Sequence, residues 1–179
     1  TTTSFHTEVS TVTVLETAKK MIDYSHGNLH DINHFMKVYA YAKMIADGEQ
    51  LDPDTQKLVE MTALVHDIAC PLCRVKYGNT NGKNQEKESA ALIAEFFKDS
   101  NLPQDFTDRI SFLSHHHTLD QIDGIDYQII IEADYLVNAD ESHFFGHNIK
   151  NMYDKIFKTE TGKFLLRSMY QNCLENETL

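Results

Sequence analysis

The sequence contains no tryptophan, only three prolines and only three cysteines among its 179 residues. The scarcity of proline, the seven glycines and the 41% of hydrophobic residues exclude a disordered or low-complexity chain and indicate a globular fold. No hydrophobic run approaches the length of about 20 residues that a membrane-spanning helix needs, and the N-terminal stretch lacks the pattern of a secretory signal. We therefore expect a single domain over residues 1–179 that is cytoplasmic and does not contact a membrane.

Positive charge is also scarce. Lysine and arginine together number 16, whereas aspartate and glutamate number 27, which gives a formal charge of −11 at pH 7. A surface this acidic repels the phosphate backbone of nucleic acids. The composition therefore excludes a protein that binds a nucleic-acid duplex by neutralising its phosphates.

The three cysteines are Cys70, Cys73 and Cys173. An odd number of cysteines argues against a secreted disulfide framework and favours reduced thiols. Cys70 and Cys73 form a CxxC pair, but no second pair completes a tetrahedral zinc site, and the βαβ surroundings of a thioredoxin-like site are absent. We interpret this pair as incidental to the segment in which it lies.

The hydrophobic periodicity is helical nearly throughout, which predicts an all-α fold. The predicted helices span residues 10–25, 31–48, 54–68, 85–99, 104–116, 127–140, 146–157 and 160–172. Two long connections, 71–84 and 117–126, are expected to be loops of functional importance. The last two helices are expected to pack on a core formed by residues 28–140.

Ten histidines are an unusual number for this length, and most of them are clustered. His34 lies four residues before Val38 on a hydrophobic stripe of the second predicted helix. His66 lies three residues after Ala63 on an inward stripe of the third. Each could be a core histidine that donates to a backbone carbonyl, but their common inward placement prompts a search for metal ligands. His26, His30, His143 and His147 are interpreted as surface or capping residues.

Two carboxylates accompany these histidines. Asp67 follows His66 directly, and Asp134 lies in the middle of a hydrophobic face of the sixth predicted helix, whereas Glu132 fits a solvated position. A buried carboxylate costs several kcal/mol unless a cation or hydrogen-bond donors compensate it. A structural His–Asp pair is one solution.

A divalent metal bound by all four side chains removes every one of these burial costs. Its ligands would be His34, His66, Asp67 and Asp134. Imidazoles and carboxylates suit Mn, Fe, Co, Ni or Zn.

These residues resemble the signature of the HD superfamily of metal-dependent phosphohydrolases, in which one His, a His-Asp doublet and a distant Asp lie on separate helices. The resemblance is carried by the segments INHFMKVYAYAKMIA, ALVHDIA and IIIEADYLVNADE and covers residues from about 28 to 170. More narrowly, the QE motif, the HHHT run and the DYQIIIEAD segment are similar to those of small bacterial HD proteins. The resemblance implies a single-domain helical bundle of seven to eight helices.

Many members of that superfamily bind a second metal through a histidine on the helix after the doublet and through an HH motif. The run of His115, His116 and His117 matches the HH motif, and we select His116 as a ligand, with His115 as the further candidate. At the other expected position this sequence has Gln85 followed by Glu86. Glu86 falls on the stripe 86, 90, 93 and 97 of its predicted helix and could replace the missing histidine; stabilisation of the helix dipole is the alternative role.

The doublet continues as HDIAC, so the lysine of many relatives, a common phosphate contact, is missing. Arg74, Lys76 and Lys83 in the following segment could supply positive charge for a substrate, or could simply be solvated.

The resemblance implies hydrolysis of a phosphomonoester or phosphodiester, with nucleotides as the usual substrate class. His66 and Asp67 are the expected catalytic residues, with Asp67 either bridging two metals or orienting the attacking water. A diiron oxygenase and a non-catalytic regulatory module that retains its metal are the alternatives. Assembly as a homodimer stays open.

Overall fold

The computed structural model describes residues 10–115 and 118–175. This part of the chain is all-helical and contains no strand. Its ten helices are α1 (Val14–Tyr24), α2 (Leu29–Gly48), α3 (Pro53–Val65), α4 (Cys70–Tyr77), α5 (Gly82–Phe96), α6 (Gln104–His115), α7 (Gly124–Glu141), α8 (Gly146–Lys155), α9 (Glu160–Met169) and α10 (Gln171–Glu175). The predicted all-α fold is confirmed.

Each of the eight predicted helices has a counterpart, but two short helices were not predicted. The expectation of a loop over 71–84 is wrong, because α4 occupies its first half. Pro71 is compatible with the first turn of a helix, where its missing N–H needs no partner. Gly78 ends α4 in the left-handed conformation, with a φ of 72°. The predicted helix 160–172 is divided at Tyr170 into α9 and α10.

Side-chain caps fix where several helices begin. Thr13, Asn28, Asp52, Asn81 and Thr159 each accept a hydrogen bond from the backbone N–H three residues further on, at the starts of α1, α2, α3, α5 and α9. Such caps satisfy N–H groups that have no partner within the helix.

The centre of the fold is formed by α2, α3 and α7. Helix α2 packs along both α3 and α7, and the buried side chains of these three helices form the largest hydrophobic cluster together with Ile149, Met152, Phe157 and Leu166. A second cluster lies where α1, α5 and α6 cover the other side of α3. Because α7 is buried along nearly its whole length, a polar side chain on it must either find a partner or face a cavity.

Helices α8, α9 and α10 contact one another, α9 also packs on α2 and α7, and α8 and α9 contribute Ile149, Met152 and Leu166 to the central cluster. Among the described residues, no helix is both long enough and hydrophobic enough to cross a membrane.

Candidate metal centre

Four side chains from three central helices converge at one point. His34 comes from α2, His66 caps the C-terminal end of α3 and is followed by Asp67, and Asp134 comes from α7. His34 Nε2 lies 3.1 Å from Asp67 Oδ2 and 3.4 Å from Asp134 Oδ1. His66 Nε2 lies 3.4 Å from each of the same two oxygens. The structure therefore brings together the four side chains that the sequence singled out.

The hydrogen bond made by Nδ1 fixes the tautomer of each imidazole. His66 Nδ1 lies 2.8 Å from the carbonyl oxygen of Ala63, and His34 Nδ1 lies 2.9 Å from Glu141 Oε2. Both oxygens can only accept a hydrogen bond, so each Nδ1 must carry a proton. In a neutral imidazole, Nε2 then offers a lone pair, which is the form that binds a metal.

The Nε2 lone pairs of the two histidines face two carboxylate oxygens. All four groups are rich in electrons, so they repel one another unless a cation lies among them. A proton can play this part: burial lowers the pKa of His34, but the hydrogen bonds and charges of Asp134 and Asp67 outweigh it and raise the pKa to about 11. Burial likewise lowers the pKa of His66, and the same two carboxylates raise it to about 9. The site is therefore built to attract positive charge.

A divalent ion is compatible with the geometry of this site. Ligands about 2.0–2.2 Å from an ion are separated from their neighbours by about 2.8–3.6 Å in octahedral or tetrahedral coordination, a range that includes the distances between these donors. The ligand atoms of His34, His66 and Asp134 all lie within 4.8 Å of one another. Two imidazoles and two carboxylates are donors that Mn, Fe, Co, Ni and Zn accept.

The Glu141 contact with His34 was not predicted. Asp134, Asn138 and Glu141 are spaced four and three residues apart on α7, so they share one face, and all three line the same cavity. This spacing was a signal available in the sequence, because Asp134 had already been placed on an inward face.

The centre opens into a cleft of about 600 Å³, within the range of small-molecule sites. The cleft is lined by residues of α1, α2, α4, α5, α6 and α7 and by the loop before α5. It provides room for a small molecule beside the four converging side chains.

The three predicted substrate-binding residues lie in different places. Arg74 lines the cleft, but its guanidinium makes two hydrogen bonds of 2.7 Å to Asp31. Lys83 is exposed and also lines the cleft. Lys76 does not line it, and its ammonium is 2.6 Å from Glu88 Oε1. Lys83 is therefore the best placed of the three to reach a bound anion.

The candidate ligands of a second metal are only partly described. Glu86 lines the cleft but is exposed. The predicted stripe 86, 90, 93 and 97 is confirmed at Ile93 and Phe97, which are buried, but it is wrong at Glu86 and Ala90, because Ser89 faces the interior in their place. His115 is the last residue of α6 and lines the cleft. His116 lies outside the described residues.

Glu132 is not the solvated acid that the sequence predicted. Its side chain is fully buried and accepts four hydrogen bonds. The donors are the side chains of Gln128 and Thr159 and the backbone N–H groups of Lys158 and Thr159. Glu132 thus connects α7 to the start of α9 and has a structural role away from the cleft.

The four histidines interpreted as surface residues, His26, His30, His143 and His147, are exposed as predicted. His30 also lines the cleft, next to Asp31.

The double variant Cys70→Ser/Cys73→Ser is expected to keep its metal content and to keep its activity within a few-fold. Burial raises the pKa of the Cys70 thiol, with the charge of Asp67 adding to the effect, and burial also raises the pKa of Cys73. Both groups are therefore neutral thiols at pH 7, which are poor metal ligands. Elemental analysis of the purified double variant measures this directly, and a loss of metal would assign a ligand role to the thiols.

Together, the fold and the site define an all-helical protein with a candidate metal centre between its central helices. The family model described as HD domain matches residues 31–140, and the chain belongs to this family. The chain is also similar to the crystal structure of a predicted HD superfamily hydrolase from an uncultured Thermotogales bacterium. That match has a TM-score of 0.63 and 18% sequence identity, and it covers 90% of this chain and 87% of the other. A search of the curated proteins found no significant match.

Proposed function

We propose that this protein is a metal-dependent phosphohydrolase that acts on a small phosphomonoester or phosphodiester, with a nucleotide as the expected substrate. The observation that carries the proposal is the convergence of two imidazole Nε2 atoms and two carboxylates beside a cleft of about 600 Å³. Membership in the HD domain family supports the same chemistry.

His34, His66, Asp67 and Asp134 would hold a metal, which would supply an activated water and neutralise charge on the phosphoryl group. The two histidines would hold it through Nε2, while their Nδ1–H groups keep the rings oriented. The Asp67 side chain is 34% exposed, whereas that of Asp134 is 18% exposed, so Asp67 is the more accessible carboxylate. Asp67 is our candidate for orienting the attacking water and accepting its proton.

The charges of the cleft restrict the substrate. Among the described lining residues, the acids are Asp31, Asp67, Glu86, Asp134 and Glu141, and the bases other than histidine are Arg74 and Lys83. Because Asp31 already pairs with Arg74, Lys83 is the remaining lysine or arginine of this lining for a second contact with phosphate. Because acids outnumber lysine and arginine in this lining, the cleft favours a substrate with one phosphate group over a nucleoside triphosphate, which carries more negative charge.

The proposal is tested by measuring the metal content of the purified protein and then assaying a panel of phosphomonoesters and phosphodiesters with Mn²⁺ or Co²⁺. We expect release of phosphate or of a phosphomonoester without consumption of oxygen. Oxygen uptake by the iron-loaded protein, with no hydrolysis, would establish the oxygenase alternative. Bound metal without turnover of any substrate in the panel would favour the regulatory alternative.

We further propose two metals, the second held by Glu86 and His116, with His115 as a further ligand and Asp67 bridging. The Glu86→Gln variant is then expected to lose one of two metal equivalents and most of its hydrolytic rate, because an amide is a weaker ligand than a carboxylate. Metal counting by mass spectrometry checks the stoichiometry. The Glu95→Gln variant changes an exposed acid on the same helix and serves as the control. A single equivalent in the fully loaded protein would contradict the second site.

A further inference from the structure

Glu141 lies at an unfavourable place for an acid. It is the last residue of α7, where the helix dipole disfavours negative charge by a few tenths of a kcal/mol to about 1 kcal/mol. Asp140, a second acid, precedes it directly, and no basic residue occupies the last turn of this helix. An acid in such a position needs a compensating contact.

The compensating contact is His34. Glu141 Oε2 accepts a hydrogen bond of 2.9 Å from His34 Nδ1, and the Glu141 side chain is 21% exposed. Glu141 meets the imidazole at the nitrogen opposite Nε2, so it lies outside the group of donors that could share an ion with His34. His66 differs, because its Nδ1 donates to a neutral backbone carbonyl.

We infer that Glu141 is a positioning residue of the metal centre, which orients His34 and makes its Nε2 a stronger metal donor. A carboxylate that accepts from the Nδ1–H fixes the tautomer and the ring orientation of an imidazole and increases its basicity as a ligand. The two histidines are then unequal ligands, with His34 the stronger donor. This inference deepens the proposed function and rests on the metal centre that function requires.

The test is titration of the metal-stripped protein with Co²⁺ alone, with the dissociation constant measured by calorimetry and by competition with a chromophoric chelator. We expect about a 10–100-fold weaker affinity in the Glu141→Ala variant, because both the hydrogen bond and the charge are lost. The Glu141→Gln variant is expected to lose less, since its amide oxygen still accepts from Nδ1. The Asp140→Asn variant removes the same charge from an exposed neighbour and should bind Co²⁺ like the wild type.

The ranking of wild type above glutamine above alanine, at unchanged thermal stability, supports a positioning role. Equal affinities in all four proteins would overturn it, and so would a loss in Asp140→Asn as large as in Glu141→Ala. If the alanine variant does not fold, the isosteric glutamine variant decides between the same two outcomes.

Failure of this inference differs from failure of the proposed function. Hydrolysis by the wild type together with unaltered Co²⁺ affinity in the variants overturns only the role of Glu141. Graded Co²⁺ affinity without any phosphatase activity supports the role of Glu141 and overturns the hydrolase. A wild type that does not bind Co²⁺ overturns both.

Discussion

The Asp67→Asn variant is expected to lose most of its bound metal and about 10²–10⁴-fold of its hydrolytic rate, while its helical circular dichroism stays intact. Asp67 Oδ2 lies 3.1 Å from His34 Nε2 and 3.4 Å from His66 Nε2. Removing its charge therefore weakens metal binding by this group of side chains. The asparagine has the same shape, and the Asp67 side chain is 34% exposed, so the fold should tolerate the change. Elemental analysis, a phosphate-release assay and circular dichroism measure the three quantities.

Asp108→Asn is the matched control, because it removes the same charge from an exposed position on α6. It should leave metal content and rate unchanged. His66→Ala should also lose its metal, but His66 is almost fully buried, so that variant additionally leaves a cavity and loses stability. Full metal occupancy in Asp67→Asn would contradict the assignment of Asp67 as a ligand.

Three of the four central side chains could be found from the sequence because each was a polar residue on an inward stripe, and Asp67 was found because it directly follows His66. His34 and His66 were recognised from their spacing to hydrophobic neighbours, and Asp134 from its position within a hydrophobic stretch. Helical periodicity shows which face of a helix is buried. A histidine or aspartate on such a face is an exception to the hydrophobic pattern, so it can be recognised as a candidate metal ligand. The structure adds that the three helices place them at one point.

Other features depend on contacts that periodicity does not report. Helix α7 is buried on almost all sides, so the spacing of its residues could not separate Asp134, which lines the cleft, from Glu132, which is fully buried. The partners of Glu132 lie 26 and 27 residues further along the chain. Helix α4 was not predicted because residues 71–84 were interpreted as one long connection, although proline is common in a first helical turn and Pro71 lies in the first turn of α4.

The Glu132→Ala variant is expected to lower the free energy of unfolding by about 2–4 kcal/mol, because it removes the acceptor of three buried hydrogen bonds and one partly buried one. Removal of a buried carboxylate offsets part of this cost, which keeps the loss below the sum over the four bonds. The shortest of these bonds are 2.6 Å, from Thr159 Oγ1 and from Gln128 Nε2. Urea unfolding monitored by circular dichroism measures the change, and Glu160→Ala, an exposed acid at the same junction, should change stability by no more than about 1 kcal/mol.

The Glu132→Gln variant separates the charge of this residue from its shape. Burial raises the pKa of Glu132, against the lowering effect of the hydrogen bonds from Thr159 and Gln128. The folded protein therefore binds this proton more tightly than the unfolded chain, whose glutamate has a pKa of about 4.3. As the pH rises from that value through the higher pKa of the folded state, the wild type loses stability relative to the glutamine variant, which cannot titrate. Unfolding free energies of both proteins between pH 4 and pH 8 measure this difference, and a difference that grows in favour of the wild type with rising pH would show that hydrogen bonding to the carboxylate outweighs its burial.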